Sequence, residues 1–222
     1  MNERRRTSVG GILAALAALG FAGALAASSF FPEFYHVYRP VQGGWSTYRI
    51  TDPRGESADL TFAVVGQEAA NIWLELRTPV DGGEAAAAFL LSGDPSEDEN
   101  VVAVRVQEPG GPAMEMDRAT LERLRTRGQK LFGGTAAPIG PTFGKLEGLP
   151  DESVEVGGRA LKCRHLRVVD PEGKSAEVWL NDDVVPFGIV RLVSGDDSVV
   201  LQAYGKGAKA TVKGPFVRMD VP

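Results

Sequence analysis

Cys163 and His165 are the residues whose types and spacing could most readily do chemistry, because they stand two positions apart in the run CRH. A thiolate and an imidazole can both ligate zinc, and alternation along a β-strand places them on one face. A typical zinc site needs three or four ligands, and the sole other histidine is His36, next to the apolar N-terminal segment. The backbones of residues two positions apart on one strand are separated by about 6.5–7 Å. The imidazole could therefore activate the thiol only if both side chains adopt favourable rotamers. We therefore expect a buried cysteine with a polar neighbour, and neither a metal site nor a catalytic residue.

Two other stretches resemble ligand-binding loops without meeting their requirements. Residues 94–100, DPSEDEN, offer carboxylates to calcium but lack the Asp-x-Asp-x-Asp-Gly spacing that folds a loop around the ion. Residues 140–145, GPTFGK, resemble a phosphate-binding loop, but the spacing is one residue short and Leu146 follows the lysine in place of Ser or Thr. The sequence also lacks the G-x-S-x-G and H-E-x-x-H motifs. We predict a protein that is not an enzyme and uses no cofactor.

Composition and charge exclude further classes of function. The 222 residues carry a net charge of −5, and the basic residues of the body are scattered, whereas nucleic-acid binding draws on clustered Lys and Arg. A single cysteine allows no intrachain disulfide. Hydrophobic residues make up 43% and charged residues 24%, which is typical of a chain that buries a core. No nucleic-acid partner is expected.

The first 31 residues are predicted to form a signal peptide or a transmembrane anchor. Arginines at 4–6 precede an uncharged stretch, residues 7–32, whose centre GILAALAALGFAGALAA is almost all Ala, Leu and Gly. One interpretation is a signal peptide cleaved after the triplet ALA at residues 24–26. The other is an uncleaved transmembrane anchor, since residues 9–31 exceed the roughly 20 that span a bilayer. In both cases the positive-inside rule exports the body to the periplasm of a bacterial envelope, either free or anchored in the inner membrane.

Residues 32–44 are predicted to form an aromatic connector. Aromatic side chains crowd the outer end of the apolar segment, where such rings prefer the membrane interface. They would be costly to leave in water and could instead line the surface of a partner protein. The residues concerned are Phe30, Phe31, Phe34, Tyr35, Tyr38 and Trp45.

From residue 45 to residue 222 the sequence predicts a single β-rich exported domain. Short β-type runs separated by Gly, Pro, Asp and Asn recur at about the 8–12-residue spacing of antiparallel meanders. One helix is expected, with Asp117 as N-cap, an apolar stripe of Leu121, Leu124 and Leu131, and an end near residues 127–128. Residues 133–150, rich in Gly and Pro, are expected to form a loop or lid. Strands are expected at residues 45–51, 58–65, 71–78, 86–91, 101–107, 153–156, 160–169, 175–180, 189–193 and 198–204.

Strict alternation predicts one apolar sheet face. In two neighbouring runs, three apolar residues share a face, while Trp73, Glu75 and Arg77 point the other way. This face is our candidate binding surface for a lipid, an acyl chain or a hydrophobic peptide, although alternating apolar strands are also what an ordinary core requires. The candidate ligand-binding residues are Leu60, Phe62, Val64, Ile72, Leu74 and Leu76.

The stretch VWLNDDVVPFGIVR, residues 178–191, suggests a family resemblance. A strand that ends in a Trp-containing segment, turns through an acidic loop and continues after Pro186 resembles the LolA/LolB-like periplasmic lipoprotein-carrier superfamily. The earlier runs TYRIT, LTFAVVGQE and IWLEL are similar to that family's β-meander. The resemblance implies a mainly β fold: a strongly curved antiparallel sheet, or unclosed barrel, whose concave apolar face binds acyl chains in several members.

This chain departs from the family pattern in two ways. It offers only one convincing helix to cover the sheet. Its N-terminal segment is expected to anchor the domain, in place of the free carrier or lipoprotein form of the family. Our first hypothesis is a non-enzymatic exported or membrane-anchored binding domain. The alternative is a single-pass accessory subunit of a larger membrane complex. Leader cleavage, ligand, partners and oligomeric state stay open at this point.

Overall fold

The computed structural model describes residues 38–95, 98–126, 145–169 and 173–219. The predicted leader, residues 1–31, and the first half of the aromatic connector lie outside this part of the chain, so both interpretations of the leader stay predictions. Among the described residues, no helix has the length and apolar character needed to cross a membrane.

Twelve strands form one continuous sheet in the described residues, accompanied by a single α-helix. A short 3-10 turn, Asp98–Asn100, precedes β5. The helix α1 spans Arg118–Thr126. The strands are β1 Trp45–Thr51, β2 Ser57–Glu68, β3 Asn71–Val80, β4 Gly83–Leu91, β5 Val101–Gln107, β6 Ala113–Met116, β7 Lys145–Val156, β8 Arg159–Val169, β9 Ser175–Leu180, β10 Ile189–Ser194, β11 Asp197–Gly205 and β12 Phe216–Arg218.

The strand order is β12-β6-β5-β4-β3-β2-β1-β11-β10-β9-β8-β7. All neighbours pair antiparallel except β12, which runs parallel to β6. The pairing of β1 with β11, which sets Trp45 opposite Gly205, joins the first half of the chain to the second. β7 and β12 are the two edges and do not pair with each other. The structure thus confirms a mainly β fold with a curved, unclosed antiparallel sheet and one short helix.

The predicted Gly/Pro loop has to be corrected at its C-terminal end. Residues 145–150 belong to β7, which pairs with β8 from Lys145 onward. Gly and Pro misled the prediction because an edge strand tolerates both, and Pro150 falls where the register shifts between Leu149 and Glu152. Residues 133–144 lie outside the described part.

The helix begins where the sequence predicted. Asp117 Oδ1 accepts a hydrogen bond of 2.9 Å from the backbone N–H of Thr120, which satisfies one of the free donors of the first helical turn. Leu121 is fully buried and packs into the main core, next to β5. The helix therefore covers part of the sheet, as expected. The predicted positions Leu124 and Leu131 lie where no side chain is described.

The main core lies on one face of the sheet, which we call the inner face. Residues paired across neighbouring strands point to the same face. Tyr48 on β1 lies opposite Leu201 on β11 and Leu60 on β2. Phe62 on β2 lies opposite Leu76 on β3. All of these side chains are buried. One continuous apolar surface therefore extends from β11 across β1 to β3.

A second, smaller core lies on the opposite, outer face of β3 to β5. Its cover is the chain after β11, residues 206–219, which we call the C-terminal strap. Val212 of the strap is buried in the same cluster as Trp73. The guanidinium of Arg105 lies 4.0 Å from the Trp73 ring centroid and 4.3 Å from that of Phe216. Alternation placed Trp73, Glu75 and Arg77 on this face, and the strap covers it.

A buried carboxylate holds the strap in place. Glu75 is completely buried and accepts backbone hydrogen bonds from Thr211 N, at 2.8 Å, and Val212 N, at 3.1 Å. Its charge is balanced by Arg77, whose Nε donates to Glu75 Oε1 at 2.7 Å. A charge buried in this way is tolerated because it is paired and fully hydrogen-bonded.

Candidate ligand-binding site

The six predicted ligand-binding residues lie together on the inner face. Register sets Phe62 opposite Leu76 and Val64 opposite Leu74, so β2 and β3 present them side by side. Ile72 is half-buried, and the others are at most 7% exposed. The structure therefore places them in the apolar face that alternation predicted, and their role in holding a ligand remains a prediction. They are Leu60, Phe62, Val64, Ile72, Leu74 and Leu76.

The loop after β9, for which the sequence predicted an acidic turn followed by a strand from Pro186, contributes to the same face. Residues 181–188 join β9 to β10, and the loop closes on itself through Asn181 N to Gly188 O, at 2.8 Å, and Gly188 N to Val184 O, at 2.7 Å. Its apolar residues turn inward, so that Phe187 is only 3% exposed. The run VVPF between the acidic residues and Gly188 was the available signal, because four successive apolar residues are unusual in an exposed turn.

Phe187 completes a row of four aromatic rings. Its ring centroid lies 5.0 Å from that of Phe62 in an edge-to-face contact and 5.6 Å from that of Tyr38. Phe62 in turn lies 6.1 Å from Tyr48. Such pairs stabilise a core beyond the area they bury. We call Tyr38, Phe187, Phe62 and Tyr48 the aromatic row, and it has a phenol at each end.

Several hydroxyl groups in this region are buried without a hydrogen-bond partner. Within the described residues they are Tyr38 Oη, Ser46 Oγ, Tyr48 Oη and Tyr204 Oη. Ser46 lies opposite both Phe62 and Tyr204 in the sheet, and Tyr48 follows on the same face of β1. We call Ser46, Tyr48 and Tyr204 the hydroxyl patch. Most buried polar groups in proteins are hydrogen-bonded, so a patch of unpaired hydroxyls requires an explanation.

The phenols of the row stay protonated under ordinary conditions. Burial raises the pKa of Tyr48, an effect that the nearby Ser46 hydroxyl opposes although the two groups do not meet hydrogen-bond geometry. Burial also raises the pKa of Tyr38, and the negative charge of Asp94 adds to the rise. Both hydroxyls can therefore act as hydrogen-bond donors.

Cys163 and His165 contact different partners. The Cys163 thiol donates to the carbonyl of Leu161 at 3.3 Å, and burial raises its pKa. His165 stacks on Trp179, with 4.2 Å between ring centroids, and its Nε2 lies 3.1 Å from Glu177 Oε2. In the part of the chain that the structure describes, no three His, Cys, Asp or Glu side chains converge as metal ligands.

His165 instead belongs to a polar network across β7, β8 and β9. Arg167 donates to Glu177 Oε1, and this hydrogen bond is the main cause that holds the pKa of Glu177 below its ordinary value. Trp179 Nε1 donates to Glu152 at 2.9 Å. Opposite charges face each other across the strands, so the network stabilises strand pairing.

Two open depressions on the surface are polar and lie away from the six predicted residues. One, of about 260 Å³, lies beside the loop at residues 181–183. The other, of about 410 Å³, lies beside the start of β2 and includes Arg49 and Asp59, which form a salt bridge of 2.9 Å. Neither resembles a site for an apolar ligand, because such sites are lined mainly by hydrophobic side chains.

The edge strand β7 is also exposed. It is twelve residues long and mostly exposed, and Leu146 on it is 60% exposed. An unpaired edge offers a row of backbone donors and acceptors to another chain. Pro150 and the register shift beside it interrupt that row midway.

No protein-family model matches the chain, and no curated protein matches it. Among solved structures, the chain is similar to MucB at 12% identity, over 88% of this chain and 63% of that one, with a TM-score of 0.46. It is similar to a chain of the Pseudomonas aeruginosa MucA/MucB complex at 12% identity, 88% and 59% coverage and a TM-score of 0.40. A candidate lipoprotein from Parabacteroides distasonis ATCC 8503 is similar at 12% identity, 76% and 98% coverage and a TM-score of 0.37. The chain spans less than two thirds of the two Muc chains, and these loose likenesses assign it to no family.

Proposed function

We propose that this chain is a non-enzymatic binding domain of the bacterial cell envelope whose inner sheet face receives a lipid, an acyl chain or a hydrophobic peptide. The observation that carries the proposal is the set of unpaired hydroxyls buried in an apolar inner face. The six candidate residues on β2 and β3 and the aromatic row would contact the apolar part of the ligand.

The energetic argument starts from the cost of the unpaired groups. A buried hydroxyl without a partner costs about 1–3 kcal/mol relative to one that is hydrogen-bonded. An ordinary core would place Phe or Val at such positions, because replacing both partners by apolar groups is nearly neutral. Hydroxyls retained in an apolar face fit a site that is completed by another molecule.

The predicted leader suits this function. As a signal peptide or as an anchor it would deliver the domain to the far side of the membrane, where lipids and exposed hydrophobic peptides are the available ligands. As an anchor it would also contact membrane lipid directly and keep the domain at the membrane surface.

The test is to purify the full chain from membranes in a mild detergent and to record intact masses of the protein and of everything bound to it. We expect a lipid or a hydrophobic peptide at about one copy per chain. If delipidated protein binds no apolar probe of any kind, neither acyl ester, fatty acid nor alkane, the proposed function is wrong.

A second candidate function, an accessory subunit of a membrane complex, is favoured by one observation. The edge strands β7 and β12 each carry a well exposed apolar residue, Leu146 at 60% and Val217 at 55%. Edge strands of this kind can pair with a strand of another protein. Stoichiometric copurification of partner proteins with the wild type, lost in Leu146→Lys, would support this candidate over the binding domain.

A further inference from the structure

We propose that the hydroxyl patch binds an uncharged hydrogen-bond acceptor of the ligand, an ester or amide carbonyl at the head of an acyl chain. The inference rests on the proposed function and names the ligand class. Two of the three hydroxyls of Ser46, Tyr48 and Tyr204 would donate to the carbonyl oxygen, while the neighbouring aromatic row and β2 contact the chain.

The patch is compact because of the sheet register. Ser46 lies directly opposite Tyr204 across the β1–β11 pair, and Tyr48 follows two positions later on the same face. Ser46 and Tyr48 are each at most 1% exposed. The three hydroxyls therefore emerge from two adjacent strands into the same apolar interior.

The hydroxyl groups of the patch can donate hydrogen bonds, and the structure shows no acceptor for them among the described residues. Burial raises the pKa of Tyr48, so its phenol keeps its proton. No hydrogen-bond partner for the three hydroxyls is found in the structure. A carbonyl oxygen, with two lone pairs, could accept from two of the hydroxyls at once.

The lack of a buried Lys or Arg among the described residues favours a neutral head group over an anionic one. Apart from the thiol and phenol groups, the buried side chains that can ionise among the described residues are Glu75 and His165. Glu75 lies on the outer face, and His165 lies on β8, three strands away from β11 in the sheet. A carboxylate buried beside hydroxyls alone would lack a counter-ion, which is costly. The negative charge of Asp94 near Tyr38 disfavours an anion further.

The test compares three probes with the same chain length on the full-length protein, held in an alkyl glycoside detergent that itself has no carbonyl. The probes are methyl palmitate, palmitate and hexadecane, each radiolabelled and measured by equilibrium binding. We expect methyl palmitate to bind about tenfold more tightly than hexadecane, the ratio that corresponds to one good hydrogen bond. Palmitate is expected to bind more weakly than its ester at neutral pH.

The variant that removes the patch combines Ser46→Ala, Tyr48→Phe and Tyr204→Phe, and it should bind the ester and the alkane equally. Thr47→Val is the matched control, because it removes a hydroxyl from the same strand that is already bonded to Thr61 at 2.7 Å on the other face. It should keep the tenfold preference. Without ligand, Tyr48→Phe should unfold at the same temperature as the wild type or higher, since its hydroxyl has no partner to lose.

The outcomes separate this inference from the proposed function. If the wild type binds ester and hexadecane equally, or palmitate more tightly than ester, the carbonyl site is wrong while the apolar binding function stands. A preference that survives in the triple variant also overturns the site. Equal and negligible binding of all three probes overturns both.

Discussion

The Phe187 ring meets the Phe62 ring edge-on, with 5.0 Å between the centroids and 84° between the ring planes. This contact joins the loop between β9 and β10 to the centre of β2. The loop is thereby part of the inner face rather than a surface connection, and what stabilises it also shapes the candidate site.

Replacing Phe187 by Ala tests this coupling. The substitution removes a buried ring that contacts Phe62 and Tyr38, so we expect the free energy of unfolding to fall by about 3–5 kcal/mol in urea denaturation. Val217→Ala, at an exposed edge position, should change it by less than about 0.5 kcal/mol. A loss at Phe187 as small as that control would show that the loop does not support the inner face.

Gly44 sets how closely the same loop approaches β1. A Cβ added at Gly44 would lie 2.6 Å from Val185 Cγ2 and 2.9 Å from the backbone oxygen of Val41. We expect Gly44→Ala to lower the free energy of unfolding by roughly 1–3 kcal/mol, because the backbone oxygen cannot move without cost. Gly148→Ala is the control, since nothing lies within 4 Å of a Cβ there. Comparable stability of the two variants in urea would contradict the close approach.

Glu75 is expected to determine whether the strap stays attached. Glu75→Ala leaves the Arg77 guanidinium and the N–H groups of Thr211 and Val212 without their acceptor, so unfolding should become easier by about 3–5 kcal/mol. Trypsin should also cut faster at Lys209 and Lys213. Glu56→Ala, whose side chain is 73% exposed, is the control and should change neither property. An unchanged rate of cleavage in Glu75→Ala would mean that other contacts hold the strap.

The Glu177 network predicts a dependence of stability on acid. Arg167 first, and His165 in addition, hold the pKa of Glu177 below its ordinary value of 4.5. The unfolded chain therefore takes up the proton first, so the contribution of Glu177 is complete above about pH 4.5 and is lost as the pH falls through the lower folded pKa. Urea midpoints of the wild type and Glu177→Gln should differ near pH 7 and converge in acid. A gap that keeps its size at every pH below 4.5 at which the protein stays folded would exclude Glu177 as its source.

Alternation predicted the inner face because its signal is local. Leu60, Phe62 and Val64 are apolar at every second position, and the structure buries all three. The same rule placed Glu75 on the opposite face, but it could not show that a segment more than 130 residues later covers it. Period-two patterns report which residues share a face, but not what lies over that face.

The structural features that the sequence did not predict have no local sequence pattern. β6 and β12, of four and three residues, are too short to show a pattern. The strap contributes single apolar residues, Val212 and Phe216, from a stretch of Lys, Gly and Pro. The hydroxyl patch depends on the pairing of β1 with β11, and no spacing in the sequence announces that Ser46 and Tyr204 are neighbours.

The position of the strap in the sequence also determines when the outer core can form during synthesis. Residues 206–219 follow eleven of the twelve strands in the chain, yet they cover Trp73, Ala86, Ala88 and Leu90, which are made long before them. While the chain is emerging, that apolar surface has no cover and is open to other exposed segments or to a chaperone. The outer core can close only after residue 216 has emerged, so it forms after all the strands that it covers have been made.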